Sequence, residues 1–91
     1  MMFTYSVWHV VRRLRATTNG HEYVDIGAAY LTNIELPKPD PQTALDVVLS
    51  AVDFRGHQSC NLTPDSIEVF MDGSMRIHVG STMDIELRLV G

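Results

Sequence analysis

The sequence predicts an α+β domain of order ββαβββ, a single helix packed on a mostly antiparallel five-stranded sheet. Three observations predict it: an Asn19-Gly20 pair between two long β-prone runs, an Asp40-Pro41 helix start, and a two-residue period from Ser66 onward. At 91 residues the chain holds one core, so residues 1–91 are expected to form a single domain.

Asn19-Gly20 sets the first hairpin, because a two-residue type I′ turn needs positive φ at both positions and these residues tolerate it. Pairing Thr18 with His21 places Ala16 opposite Tyr23, Val11 opposite Ala28, His9 opposite Tyr30, Tyr5 opposite Ile34 and Phe3 opposite Leu36. One face then collects Phe3, Tyr5, Val7, His9 and Val11 with Val24, Ile26, Ala28, Tyr30, Ile34 and Leu36, and turns toward the core. Arg13 and Arg15 lie on that side near the turn, so the tip is expected to overhang the core and keep both guanidiniums in water. Phe3, Val7, Val10, Val11 and Leu14 also match helical spacing, but the β-branched and aromatic content and the turn favour a strand.

Pro37-Lys38-Pro39 ends the second strand, and Asp40 caps a helix whose first residue is Pro41. That helix is expected to reach about Arg55 and stop at Gly56, with Leu45, Val48, Leu49 and Val52 along one line and Ala44, Val47, Ala51 and Phe54 beside it. Only Thr43, Asp46, Ser50 and Asp53 keep one side wet, which requires a deeply seated helix or cover from a second subunit.

Residues 57–65 read as a polar loop before three strands. A three-residue Met71-Asp72-Gly73 loop with a glycine bulge sets Ile67 beside Ile77 and keeps the faces consistent, where a two-residue turn would not. A Gly80-Ser81-Thr82 link pairs Ile77 with Ile85, Met75 with Leu87 and Val79 with Met83. The opposite face then carries a ladder of Glu68, Arg76 and Glu86, with His78 facing Asp84 and Phe70 nearby. How the hairpin joins these strands is not encoded in local pattern.

Composition narrows the function classes. Hydrophobic residues make up 45% and charged residues 20%, a globular balance, and a chain this size holds roughly 5–13 kcal/mol of stability, so a subunit contact matters to it. The lone Cys60 makes no internal disulfide, no stretch is apolar enough to cross a bilayer, and the N-terminal order of apolar then basic residues reverses that of a secretory signal. A cytoplasmic protein is expected, and the arginine-bearing start is assigned to the hairpin rather than to a mitochondrial transit peptide. Residues 1–20 carry Arg12, Arg13 and Arg15 and no acid, while the rest carries four basic and eleven acidic side chains, so most of the surface repels nucleic acid. Arginines on a β-ribbon can grip phosphates, but no basic stripe or stacking series continues from this tip.

His9, His21, His57 and His78 show no metal-ligand spacing, and no metal or cofactor is expected. His78, Asp84 and Glu86 offer the ingredients of acid–base chemistry, as a minimal enzyme or ligand site would need, yet no nucleophile stands beside them and charged ladders are how exposed sheet faces are built. The strongest binding hint is the reverse face of the hairpin, where Trp8, Val10, Ala29 and Leu31 meet Arg12, Asn33, Ser6 and Asp25, an aromatic anchor with a polar rim. The expectation is a non-enzymatic protein-binding domain, a regulator or inhibitor of the kind phages and mobile elements encode, docking on a larger protein. The alternative is a structural subunit of a homo-oligomer, a homodimer being the simplest.

Overall fold

The computed structural model describes residues 2–51, 62–80 and 82–90. In chain order these form β1 (Phe3–Thr17), β2 (Gly20–Leu36), α1 (Pro41–Ala51), a 3-10 turn (Pro64–Ser66), β3 (Ile67–Val69), β4 (Met75–His78) and β5 (Met83–Leu89). The strands make one antiparallel sheet in the order β2-β1-β5-β4-β3, with the helix over one face. The junction that sequence could not supply is therefore β1 against β5, with Tyr5 opposite Leu89 and Val11 opposite Met83.

Helix α1 starts as its sequence demands. The Asp40 carboxylate accepts the Thr43 N–H at 2.8 Å, its carbonyl accepts the Ala44 N–H at 3.0 Å, and Pro41 takes a position that has no N–H to satisfy. That bonding to Thr43 holds the Asp40 carboxyl below its ordinary pKa. Ala44, Leu45 and Val48 are buried, Ala44 and Val48 against Tyr5, Val7, Ile34, Leu36, Met75, Ile77, Ile85 and Leu87. Leu49 is partly exposed; the helix positions beyond Ala51, including Val52 and Phe54, lie outside the described residues.

The three C-terminal strands adopt the expected registers: Ile67 faces Ile77, Glu68 faces Arg76, Met75 faces Leu87, Ile77 faces Ile85 and His78 faces Asp84. Gly73 closes the β3–β4 turn at φ +88°, and a Cβ there would sit 3.1 Å from Leu89 Cδ2. Gly73→Ala should therefore cost about 1–2 kcal/mol in urea denaturation, and Gly73→Asn less, because Asn enters the left-handed region more readily.

The first hairpin departs from expectation. Its base is as read, with Phe3 opposite Leu36 and Tyr5 opposite Ile34, but β2 carries one extra residue at Leu31 and another at Ile26. Each bulge shifts the pairing by one, so Trp8 faces Tyr30, His9 faces Ala29, Val10 faces Ala28, Arg12 faces Asp25 and Ala16 faces His21. Tyr30 and Ala28 consequently lie on the outer face rather than the core face, Ala29 moves to the helix side, and Ile26 is an exposed bulge residue. The tip is closed by Thr18 and Asn19 with Gly20 alone at positive φ, so no type I′ turn forms over Asn19-Gly20.

Bulges bend the strand that carries them. Seventeen straight residues would span about 53 Å, against an extent of 47 Å along the molecule's long axis. The bend shows in side chains as well: Arg76 of β4 donates to both Asp25 oxygens at 3.2 and 3.1 Å, although β5 and β1 lie between their strands, a separation of about 14 Å on a flat sheet. The outer face is therefore concave, and the hairpin curls over it.

Candidate functional site

Asp84 lies at the floor of that concavity. It sits on β5 opposite Val10 and His78, and both Val10 and Asp84 are buried although the helix covers the other side of the sheet. Charged side chains form the cover. Arg12 reaches Asp84 Oδ1 at 3.3 Å, His78 Nδ1 lies 3.2 Å from the same oxygen, and Arg76 Nη1 is 3.6 Å from Oδ2. The Arg12 guanidinium also donates to the Gly80 carbonyl at 3.1 Å and lies 5.0 Å from the centre of the Tyr23 ring.

A second set continues along β5. Glu86 accepts hydrogen bonds from both Arg76 and Arg88, and the Arg88 guanidinium stacks 4.2 Å above the Trp8 ring. Trp8 Nε1 donates to Ser6 Oγ at 2.9 Å, and Tyr30 meets the indole edge-on with ring centres 5.6 Å apart. Trp8 is thus held on several sides and half-buried. Beside this set, an open cavity of about 510 Å³ lies between Phe70, Ser74, Arg76, Glu86, Arg88 and Leu89.

The residues singled out by sequence fall into three groups. Trp8, Val10 and Arg12 share the outer face, but Val10 is covered and Arg12 is engaged with Asp84. Asn33 lies opposite Ser6 on that face, accepting a 3.0 Å hydrogen bond from the Tyr30 hydroxyl, and Leu31 is the exposed extra residue of a bulge. Ala29 does not join them, because the bulge at Leu31 turns it to the opposite face beside His9.

Sequence reading missed Asp25 as a member of the network. Its signal was present: the observed tip register sets Arg12 opposite Asp25 and Arg15 opposite Glu22, two opposite-charge pairs that the Asn19-Gly20 register forfeits.

The chemistry available here is limited by occupancy. His78 Nε2 lies 3.1 Å from Glu68 and Nδ1 faces Asp84, so both ring nitrogens point at carboxylates; Glu86 is taken by two arginines. Among the described residues no group of His, Cys, Asp and Glu is placed to hold a metal ion, and no helix is long and apolar enough to cross a membrane.

Burial alone would raise the Glu86 carboxyl, but the hydrogen bonds from Arg76 and Arg88 outweigh it and hold the group below the ordinary carboxylate range. Burial pulls Arg76 the other way and is likewise outweighed by Glu86 and Asp25, which hold its pKa above the usual value. A depressed carboxyl contributes stability that is present above its unfolded pKa and lost as pH falls through the folded one. Glu86→Gln should therefore lose less stability than the parent protein between pH 5.5 and pH 3, in urea titrations at each pH.

Compared with known proteins, the chain matches no family model, no curated protein and no solved structure.

Proposed function

We propose that this chain is a protein-binding domain that docks through the free edge of β2. The observation that carries the reading is the character of that edge. Among the described residues β2, seventeen residues long, pairs only with β1; it contains no Lys, Arg or Pro and exposes Tyr23, Ile26, Tyr30 and Leu31. Edge strands are usually shortened, charged, bulged or interrupted by proline to prevent pairing with other chains; β3, the opposite edge, is shortened to three residues, whereas β2 keeps its length, and its three acids and two bulges restrict which strands can lie along it in register. An unpaired strand of this kind is the surface used in β-strand addition, where main-chain hydrogen bonds give affinity and side chains give selectivity.

The reading favours recognition over catalysis because His78 and the carboxylates of the concave face are engaged by arginines or by one another, and the buried atoms left without a hydrogen bond, Arg12 Nε, Arg76 Nε and Asp84 Oδ2, lie inside that ion-pair network. It also moves the docking surface from the indole of Trp8, which is stacked and hydrogen-bonded within the chain, to the neighbouring strand that holds Leu31 and Asn33. Regulators and inhibitors that act on a larger protein fall within this reading.

Ile26 and Leu31 are both exposed bulge residues outside the core. The double substitution Ile26→Lys, Leu31→Lys is expected to leave the urea midpoint nearly unchanged while abolishing retention of the host proteins that the parent chain captures. Capture of the same proteins in the same amounts by both would rule out the β2 edge.

A further inference from the structure

We infer that the occupant of the β2 edge is a second copy of this chain, its own β2 lying antiparallel across a two-fold axis at Ala28. The inference rests on the protein-binding reading and names its partner. It is carried by a symmetry in where the two bulges fall. Pairing with β1 assigns each β2 residue to a face: Gly20, Glu22, Val24, Gly27, Ala29, Thr32, Ile34 and Leu36 look toward the helix side, whereas His21, Tyr23, Asp25, Ala28, Tyr30, Asn33 and Glu35 look outward. The extra residues, Ile26 and Leu31, interrupt the alternation.

This pattern reads the same in both directions from Ala28, the midpoint of Gly20–Leu36. Gly27 is matched by Ala29, Val24 by Thr32, Glu22 by Ile34 and Gly20 by Leu36, all on the helix side. Outward, Tyr23 is matched by Asn33 and His21 by Glu35. The bulge pairs Asp25-Ile26 and Tyr30-Leu31 also fall on each other.

Facing residues in an antiparallel pair must share a face, and a slip of one residue inverts every side chain. A regular strand laid along β2 would therefore go out of step at each bulge. A second β2 carries the same two interruptions at the mirrored places and stays in step along the full length.

Charge selects the same register. Glu22, Asp25 and Glu35 are the acids of β2, which has no Lys or Arg. Centring on Ala28 opposes no two of them and brings His21 of one protomer to Glu35 of the other at both ends of the interface. A one-residue slip that opposes Ala28 to Ala29 would set Glu22 against Glu35 twice, and a slip the other way would lose both His21–Glu35 contacts. At the axis Gly27, Ala28 and Ala29 carry little bulk, and Tyr30 of one copy meets Ile26 of the other, both more than half exposed in the single chain. The product is one ten-stranded sheet with both helices on the same side.

Because Ala28 faces itself across the axis, charge reversal tests the geometry directly. By sedimentation velocity from low micromolar to near-millimolar concentration, the parent chain should be dimeric at the upper end. Ala28→Lys and Ala28→Asp should each self-associate at least about tenfold more weakly, and an equimolar mixture of the two should recover the dimer. Circular dichroism checks that each variant is folded, and recovery in the mixture excludes simple unfolding. A parent chain monomeric throughout, or an Ala28→Lys dimer as tight as the parent, overturns the inference. A monomeric parent whose captured proteins are still lost on Ile26→Lys, Leu31→Lys overturns the second copy but keeps the β2 edge as a docking surface. A monomer whose captured proteins survive that substitution ends both.

Discussion

Asp84→Ala is expected to lower the free energy of unfolding by about 3 kcal/mol, a large share of what a chain of this size holds. The carboxylate is fully buried, and Arg12 and Arg76, whose side chains are only 17% and 19% exposed, both lean on it. Removing it leaves two largely desolvated guanidiniums facing one another with their shared counter-charge gone, and this loss of one partner is what makes broken buried ion pairs expensive. Arg76 keeps Glu86 and Asp25, and Arg12 keeps the Gly80 carbonyl, which places the cost at the lower end of the usual range. Asp84→Asn retains the shape and some hydrogen bonding and should cost less. Urea denaturation of the three proteins checks the order; an Asp84→Ala chain as stable as the parent would mean that the arginines are better hydrated than their burial indicates.

Tyr5→Ala should be at least as damaging, at about 3–5 kcal/mol. Tyr5 is fully buried where β2, β1 and β5 meet, opposite Ile34 on one side and Leu89 on the other, and packs within the cluster that includes Leu36, Ala44 and Val48. Its hydroxyl also reaches across the sheet to donate to the Gly73 carbonyl at 3.2 Å, tying the β3–β4 turn to the hairpin. Tyr5→Phe separates the two contributions. It keeps the ring and gives up one hydrogen bond, so a loss of about 1 kcal/mol is expected. A Tyr5→Phe chain as unstable as Tyr5→Ala would assign the whole effect to the hydroxyl.

The C-terminal half of the fold was legible because several constraints agree there. Between Ile67 and Leu89 the apolar residues alternate, Gly73 admits only certain loop lengths, and a wrong loop inverts a face. The helix start was legible for a similar reason, since Asp40 and Pro41 each satisfy one requirement of a helix N-terminus.

The hairpin was legible only at its base. The bulge at Leu31 has no Gly or Pro beside it, the one at Ile26 is marked only by the neighbouring Gly27, and the apolar content of β2 fits either face, so alternation alone could not reveal them. The charged ladder on β3, β4 and β5 was readable from register, but its completion by Arg12 and Asp25 depends on β1 meeting β5 and on the curl of the hairpin. Those contacts join residues 51 to 72 positions apart, a distance over which local pattern carries no information.

The pairing of β1 with β5 also orders events while the chain is being made. Tyr5 must wait for Leu89, 84 residues later, before its second neighbour exists, so until β5 docks Tyr5, Val7 and Val10 stand on an unfinished sheet margin. Closing so long a loop is slow compared with forming either hairpin, and the exposed margin is open to wrong partners in the interval. Refolding should therefore show one late, rate-limiting zippering of β1 against β5.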